Sequence, residues 1–208
     1  MGRMTRTFST PSNPAHIKPA KEAQRIAELG VDLDALVAAV NASRTYFQPI
    51  PLATLRETTN MDVGAVAANG GLLASDTTPI LEAINAATDG CQRVAWAAAN
   101  VDQVMFQVPL PPDIDTTEDL EIHIRGLMAG ATDTTTSMVS AAYFNEGDTA
   151  IADTGATDFA ATVGEVVITI AAADIPTGAQ TLSVGLTPEA HANDALYVTG
   201  IWLEGVLT

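Results

Sequence analysis

The sequence is short of most of the residues on which chemistry is usually built. One cysteine in 208 residues, Cys91, excludes an intrachain disulfide and any zinc cage made of cysteines. A free cysteine ordinarily packs as a small apolar side chain, so Cys91 is expected to be buried or half-buried. Aromatics are only 5% of the chain, and the 47% hydrophobic share is swollen by 36 Ala, each of which supplies little packing area. That predicts a modest core whose stability draws partly on association with other copies or a larger body. No apolar run approaches the ~18 residues of a membrane span, and the start from Met1 to Thr7 lacks a signal-peptide core. The expectation is a protein made in a cytoplasm, with no membrane partner.

Histidine is scarce too. His16, His123 and His191 each lack a second histidine at ligand spacing, and neither a nucleophile elbow nor a phosphate-cradling glycine loop is present. The chain therefore reads as non-enzymatic, with no cofactor and no metal. Basic residues are few: 9 Lys and Arg against 25 Asp and Glu give a net charge of −16, the wrong sign for nucleic acid. The imbalance is uneven along the chain. Residues 1 to 25 carry Arg3, Arg6, Lys18, Lys21 and Arg25 against Glu22, for +4, whereas from Glu57 onward Arg93 and Arg125 face 21 carboxylates, for −19.

What is present is β patterning, centred on Val101 to Leu127. Val104, Phe106 and Val108 share one face of a strand, as do Leu120, Ile122 and Ile124, and Pro109, Pro111 and Pro112 force a corner between them. Further strands are predicted at Ser137 to Phe144, Glu165 to Ile170 and Thr181 to Leu186. Pro79 to Asn85 and Gln92 to Ala98 are Ala-rich strand candidates. The last stretch, Ala195 to Leu207, is apolar enough to suggest a strand buried on both faces. Counting from Leu52, where Leu52 to Thr58 would be the first strand, gives eight to ten, and an antiparallel β-sandwich of jelly-roll type fits that number. The chain is thus mainly β, in three parts: an extended basic arm over 1–18, a short helical hairpin over 19–45, and a sandwich body over 46–208. Pro19 opens the hairpin, Gly30 turns it, and Leu33, Leu36, Val37 and Val40 form its apolar stripe, with Tyr46 to Pro51 read as a hinge.

The Pro-Leu-Pro-Pro corner, Ser140 to Phe144, the Ala-Ala-Asp-Ile-Pro turn at 172–176, and Asp194 to Val198 followed by Trp202 resemble β-sandwich virion proteins of tailed bacteriophages, capsid decoration proteins in particular. The resemblance covers about the last half of the chain and implies a structural role on the capsid surface, commonly as a trimer tied by an N-terminal arm to the major capsid protein or another virion protein. Arg3, Arg6, Lys18, Lys21 and Arg25, together with the stripe Leu33, Leu36, Val37 and Val40, are then the partner-binding residues. The alternative is a carbohydrate- or receptor-binding sandwich in a head fibre or tail component. Against it, Tyr143, Tyr197 and Trp202 fall in predicted strands as core or interface residues, which leaves Trp96 as the candidate sugar-stacking aromatic. His123 alternates outward from its strand. The carboxylates Asp113, Asp115, Glu118 and Asp119, and Asp148 with Asp153, form acidic turns without the ligand order of a calcium loop.

Deleting residues 1–18 tests the anchoring expectation by co-sedimentation with capsids across a salt series. The truncated chain should lose association that the whole chain shows, most clearly at low salt, because exposed ion pairs are screened; undiminished binding would reduce the arm to a loose terminus.

Overall fold

A computed structural model describes residues 44–62, 71–73, 79–84, 91–145, 147 and 149–208, together with Leu33. The chain divides between Ser43 and Arg44; the expected arm and hairpin lie outside the described residues, apart from Leu33. The body from Arg44 contains eleven strands among the described residues: β1 (Thr45–Ile50), β2 (Arg56–Thr58), β3 (Ile80–Ile84), β4 (Cys91–Trp96), β5 (Gln103–Pro109), β6 (Leu120–Met128), β7 (Met138–Phe144), β8 (Ile151–Thr154), β9 (Gly164–Ile170), β10 (Thr181–Pro188) and β11 (Leu196–Val206).

They form two antiparallel sheets. One runs β3-β4-β11-β6-β9 with β1 added to β11; the other runs β2-β5-β10-β7-β8. From β4 onward the chain alternates between sheets, except for the β7-β8 hairpin. The orders β4-β11-β6-β9 and β5-β10-β7-β8 are those of an eight-stranded jelly roll, to which β1, β2 and β3 are added. The expected sandwich is present, and the proline corner works as the pattern implied. β5 ends at Pro109 in one sheet and β6 begins at Leu120 in the other, with Leu110 and Ile114 buried in the bend between them.

Alternation decides which side chains make the core. Val104, Phe106 and Val108 of β5, Ile122 and Ile124 of β6, Val166, Ile168 and Ile170 of β9, Leu182, Val184 and Leu186 of β10, and Ile201 and Leu203 of β11 face inward and are buried. Each such Val, Leu or Ile contributes ~1.5–3 kcal/mol over an exposed position.

Four expectations need correction. The stretch from Tyr46 is not a hinge: Thr45–Ile50 is a strand paired with the C-terminal half of β11, from Thr45 opposite Val206 to Ile50 opposite Ile201. Leu52 to Thr58 is not one strand either, since Leu52–Thr54 is a 3-10 turn and only Arg56–Thr58 pairs. β11 is the centre of its sheet, yet its faces alternate, with Tyr197, Thr199, Trp202 and Glu204 half-buried outside. Cys91, at the start of β4, is exposed.

The acidic loops serve the fold. Asp133 accepts the backbone N–H groups of Asn193 and Asp194 at 2.7 Å each, while Asp194 accepts those of Thr132 at 2.7 Å and Asp133 at 3.0 Å. The Asp194 N–H, with the side chain and backbone of Asn193, holds the Asp133 carboxyl below its usual range. Asp113 pairs with Arg44 at 2.6 Å, Asp115 accepts from Thr117, and Asp119 accepts the Ala172 N–H at 2.8 Å. Among the described residues no set of three or more His, Cys, Asp or Glu is arranged to hold a metal ion. Asp153 lies not in a turn but in β8, and desolvation, reinforced by Asp174, pushes its carboxyl up.

Gly126 of β6 stands opposite Val198 of β11 in the same sheet. A Cβ there would stand 2.6 Å from the Tyr197 carbonyl oxygen and 3.0 Å from the Phe159 ring. Backbone cannot move aside as a flexible side chain can. Gly126→Ala should therefore lower stability by about 1–3 kcal/mol, read as a lower urea midpoint with an unchanged slope.

Candidate functional site

The outward face of the six-stranded sheet gathers groups that are far apart in the chain. Register places Pro49, Trp202, His123 and Val167 in one cross-strand row over β1, β11, β6 and β9. The adjacent row is Phe47, Glu204, Glu121 and Thr169. On the other side of the first row, Gly200, Arg125 and Glu165 stand opposite one another. A bulge between Val198 and Gly200 keeps Trp202 and Glu204 facing out while Val198 and Ile201 both face in.

Aromatic contact runs along these rows. Trp202 and His123 are stacked, with ring centroids 5.0 Å apart and planes 10° from parallel, and Phe47 lies 6.2 Å from Trp202 at 38°. Phe47 is 58% exposed, the most open aromatic of the group. Trp202 is thereby held on one side by an imidazole and on the other by β1. The half-buried ring is ordered and loses little rotamer freedom if something docks on it.

Three carboxylates surround the imidazole. Glu165 Oε1 is 2.6 Å from His123 Nδ1, and Glu121 Oε2 and Glu204 Oε2 are 3.2 Å and 3.6 Å from Nε2. His123 is 9% exposed and its Nε2 has no hydrogen-bond partner among the described residues. The expectation of an outward-facing His123 holds for its direction; the neighbouring side chains then bury it. Further along the face Arg93 lies 3.6 Å from the centre of the Tyr197 ring and bridges to Glu82 at 2.6 Å.

Of the residues expected to bind a partner, Arg3, Arg6, Lys18, Lys21, Arg25, Leu36, Val37 and Val40 lie outside the described residues, and Leu33 is helical and 60% exposed. Trp96, the candidate for sugar stacking, is fully buried, and its Nε1 donates to the Asp102 carbonyl at 2.9 Å. Trp202, Tyr197 and Tyr143 lie on outward faces instead. The sequence reading missed Phe47, Glu121, Glu165 and Glu204. Strict alternation was the available signal: Glu121, His123 and Arg125 must share the face opposite to Ile122 and Ile124.

The contrast between the two tryptophans is measurable. Acrylamide should quench Trp202 and leave Trp96 protected, so Trp202→Phe removes most of the quenchable, red-shifted emission without unfolding. Trp96→Ala should cost about 3–5 kcal/mol of stability by opening the core.

No protein-family model matches the chain, and no curated protein sequence matches it. Among solved structures it is similar to the xylan-binding module CBM15, at 12% identity and a TM-score of 0.48, covering 77% of this chain and 97% of that one. It is also similar to the CBM36-1 domain of a multidomain xylanase from the hindgut metagenome of Trinervitermes trinervoides, at 10% identity and a TM-score of 0.38, covering 79% and 98%. A third is the Clostridium thermocellum xylanase 10B CBM22-1-GH10 modules complexed with xylohexaose, at 9% identity and a TM-score of 0.45, covering 78% of this chain and 29% of that one.

Proposed function

We propose that the protein is a glycan-binding β-sandwich whose ligand lies along the outward face of the six-stranded sheet. The observation that carries this is the contact of Phe47, Trp202 and His123 across two neighbouring rows, bordered by Glu121, Glu165, Glu204 and Arg125. Sugars have apolar C–H faces and hydroxyl rims. The first pack on the exposed Phe47 ring and the Trp202 ring; the second donate to carboxylates and accept from a guanidinium. Both needs are met within neighbouring rows of one sheet, on rigid strands rather than loops. The jelly-roll framework sets this face but not its ligand, since one fold hosts many functions.

A second reading rests on charge. The +4 of residues 1–25 against the −19 carried from Glu57 onward suits a body held by its arm to a larger, partly acidic assembly such as a virion surface, there as an oligomer. The two readings are compatible, because the arm and the sheet face use different residues.

A glycan array followed by calorimetry tests the first reading. The wild-type chain should show saturable binding to at least one oligosaccharide class. Phe47→Ala and Trp202→Ala should each weaken it about tenfold, the equivalent of 1.4 kcal/mol, with the circular dichroism unchanged. Retained affinity in both variants would move the site off this face.

A further inference from the structure

Glu204 and Glu121 occupy directly opposed positions on β11 and β6. Like charges in that relation are destabilising, and strands normally avoid them. Among the described residues Arg44 bridges to Asp113 and Arg93 to Glu82, while Arg125 stands opposite Glu165, which leaves His123 as the basic side chain beside the pair. That one imidazole is shared with Glu165 and cannot balance three carboxylates. Its Nδ1 lies 2.6 Å from Glu165 Oε1 and engages that carboxylate. Its buried Nε2 is aimed between Glu121 and Glu204, yet makes a hydrogen bond with neither. The two carboxylates are 44% and 41% exposed, so a ligand can reach them.

Three carboxylates thus share one imidazole, an arrangement that leaves excess negative charge beside the aromatic side chains. From it we infer that the glycan site selects sugars bearing a protonated amine, with the ammonium seated between Glu121 and Glu204. An ammonium supplies three donors and a positive charge to these two exposed carboxylates. A uronate at the same place would meet two like charges. A neutral N-acetyl group would leave the opposed carboxylates uncompensated and add bulk between them. The −16 net charge draws a cationic chain toward the protein, while the opposed pair gives it an address.

The inference rests on the glycan reading, and its test separates the two. Binding of a glucosamine hexamer and its fully N-acetylated counterpart is measured by calorimetry, where the amines are protonated and the carboxylates ionised, together with a panel of neutral hexasaccharides. The wild-type chain should prefer the glucosamine hexamer by about tenfold or more. The double variant Glu121→Gln, Glu204→Gln should lose that preference while remaining folded by circular dichroism. A control with the same change in net charge, Glu118→Gln with Asp158→Asn, should keep the preference. Equal binding of the two hexamers, or equal loss in the control, overturns the inference. If neutral hexasaccharides still bind in that case, the glycan reading stands alone; if no saccharide binds the folded protein, both fall.

Discussion

The structure depends on one strand being paired along both of its edges. β11 takes β6 on one side and is shared on the other by β4, over Leu196 to Val198, and by β1, over Ile201 to Val206. Its buried residues Leu196, Val198, Ile201 and Leu203 sit at the middle of the core, and every outward row of the candidate site crosses it. Because a slip of one residue would exchange these two sets, core packing and site geometry are fixed by the same register. The bulge after Val198 adjusts the register with β6 within the strand, and the eleven residues of β11 are long enough for β4 and β1 to share the other edge.

Much of this fold can be read in the sequence wherever alternation is clean. The inward residues of β5, β6, β9 and β10 follow directly from period two, and the proline corner from the absent donors of Pro109, Pro111 and Pro112. β1 could not be read that way, since Pro49 and Pro51 look like a hinge. Pro49 is tolerated because, among the described residues, β1 pairs only with β11 and leaves its far edge open. β8 has four residues and a weak pattern, too little for a signal. In β11 the run of large apolar residues conceals the fact that Tyr197 and Trp202 face out.

The site was harder to read than the core for a physical reason. Phe47, His123, Glu165 and Trp202 come from four strands distant in the chain, and only their mutual register makes them neighbours. A core residue announces itself by its own chemistry and its spacing, whereas a site residue of this kind is polar or aromatic at a position where either is ordinary. The tryptophans show the limit. Trp96 and Trp202 are the same residue in strands of one sheet, and the difference lies in which side of the pleat each occupies. Trp96 fills the core with its indole N–H satisfied by Asp102; Trp202 stands over a histidine on the opposite face.

The partnership of β1 with β11 also sets an order of events. The first strand of the body cannot find its edge until the last one has been synthesised, so on the ribosome Thr45–Ile50 stays unpaired while nearly all of the body is made. Contacts of such long sequence separation form late and slowly. During that interval Phe47 and Ile50 belong to a short strand with open hydrogen-bonding groups, the condition in which chains pair wrongly with one another. Pro49 and Pro51, unhelpful as ladder donors, are then useful to the unfinished chain, because they make this segment a poor template for a stranger.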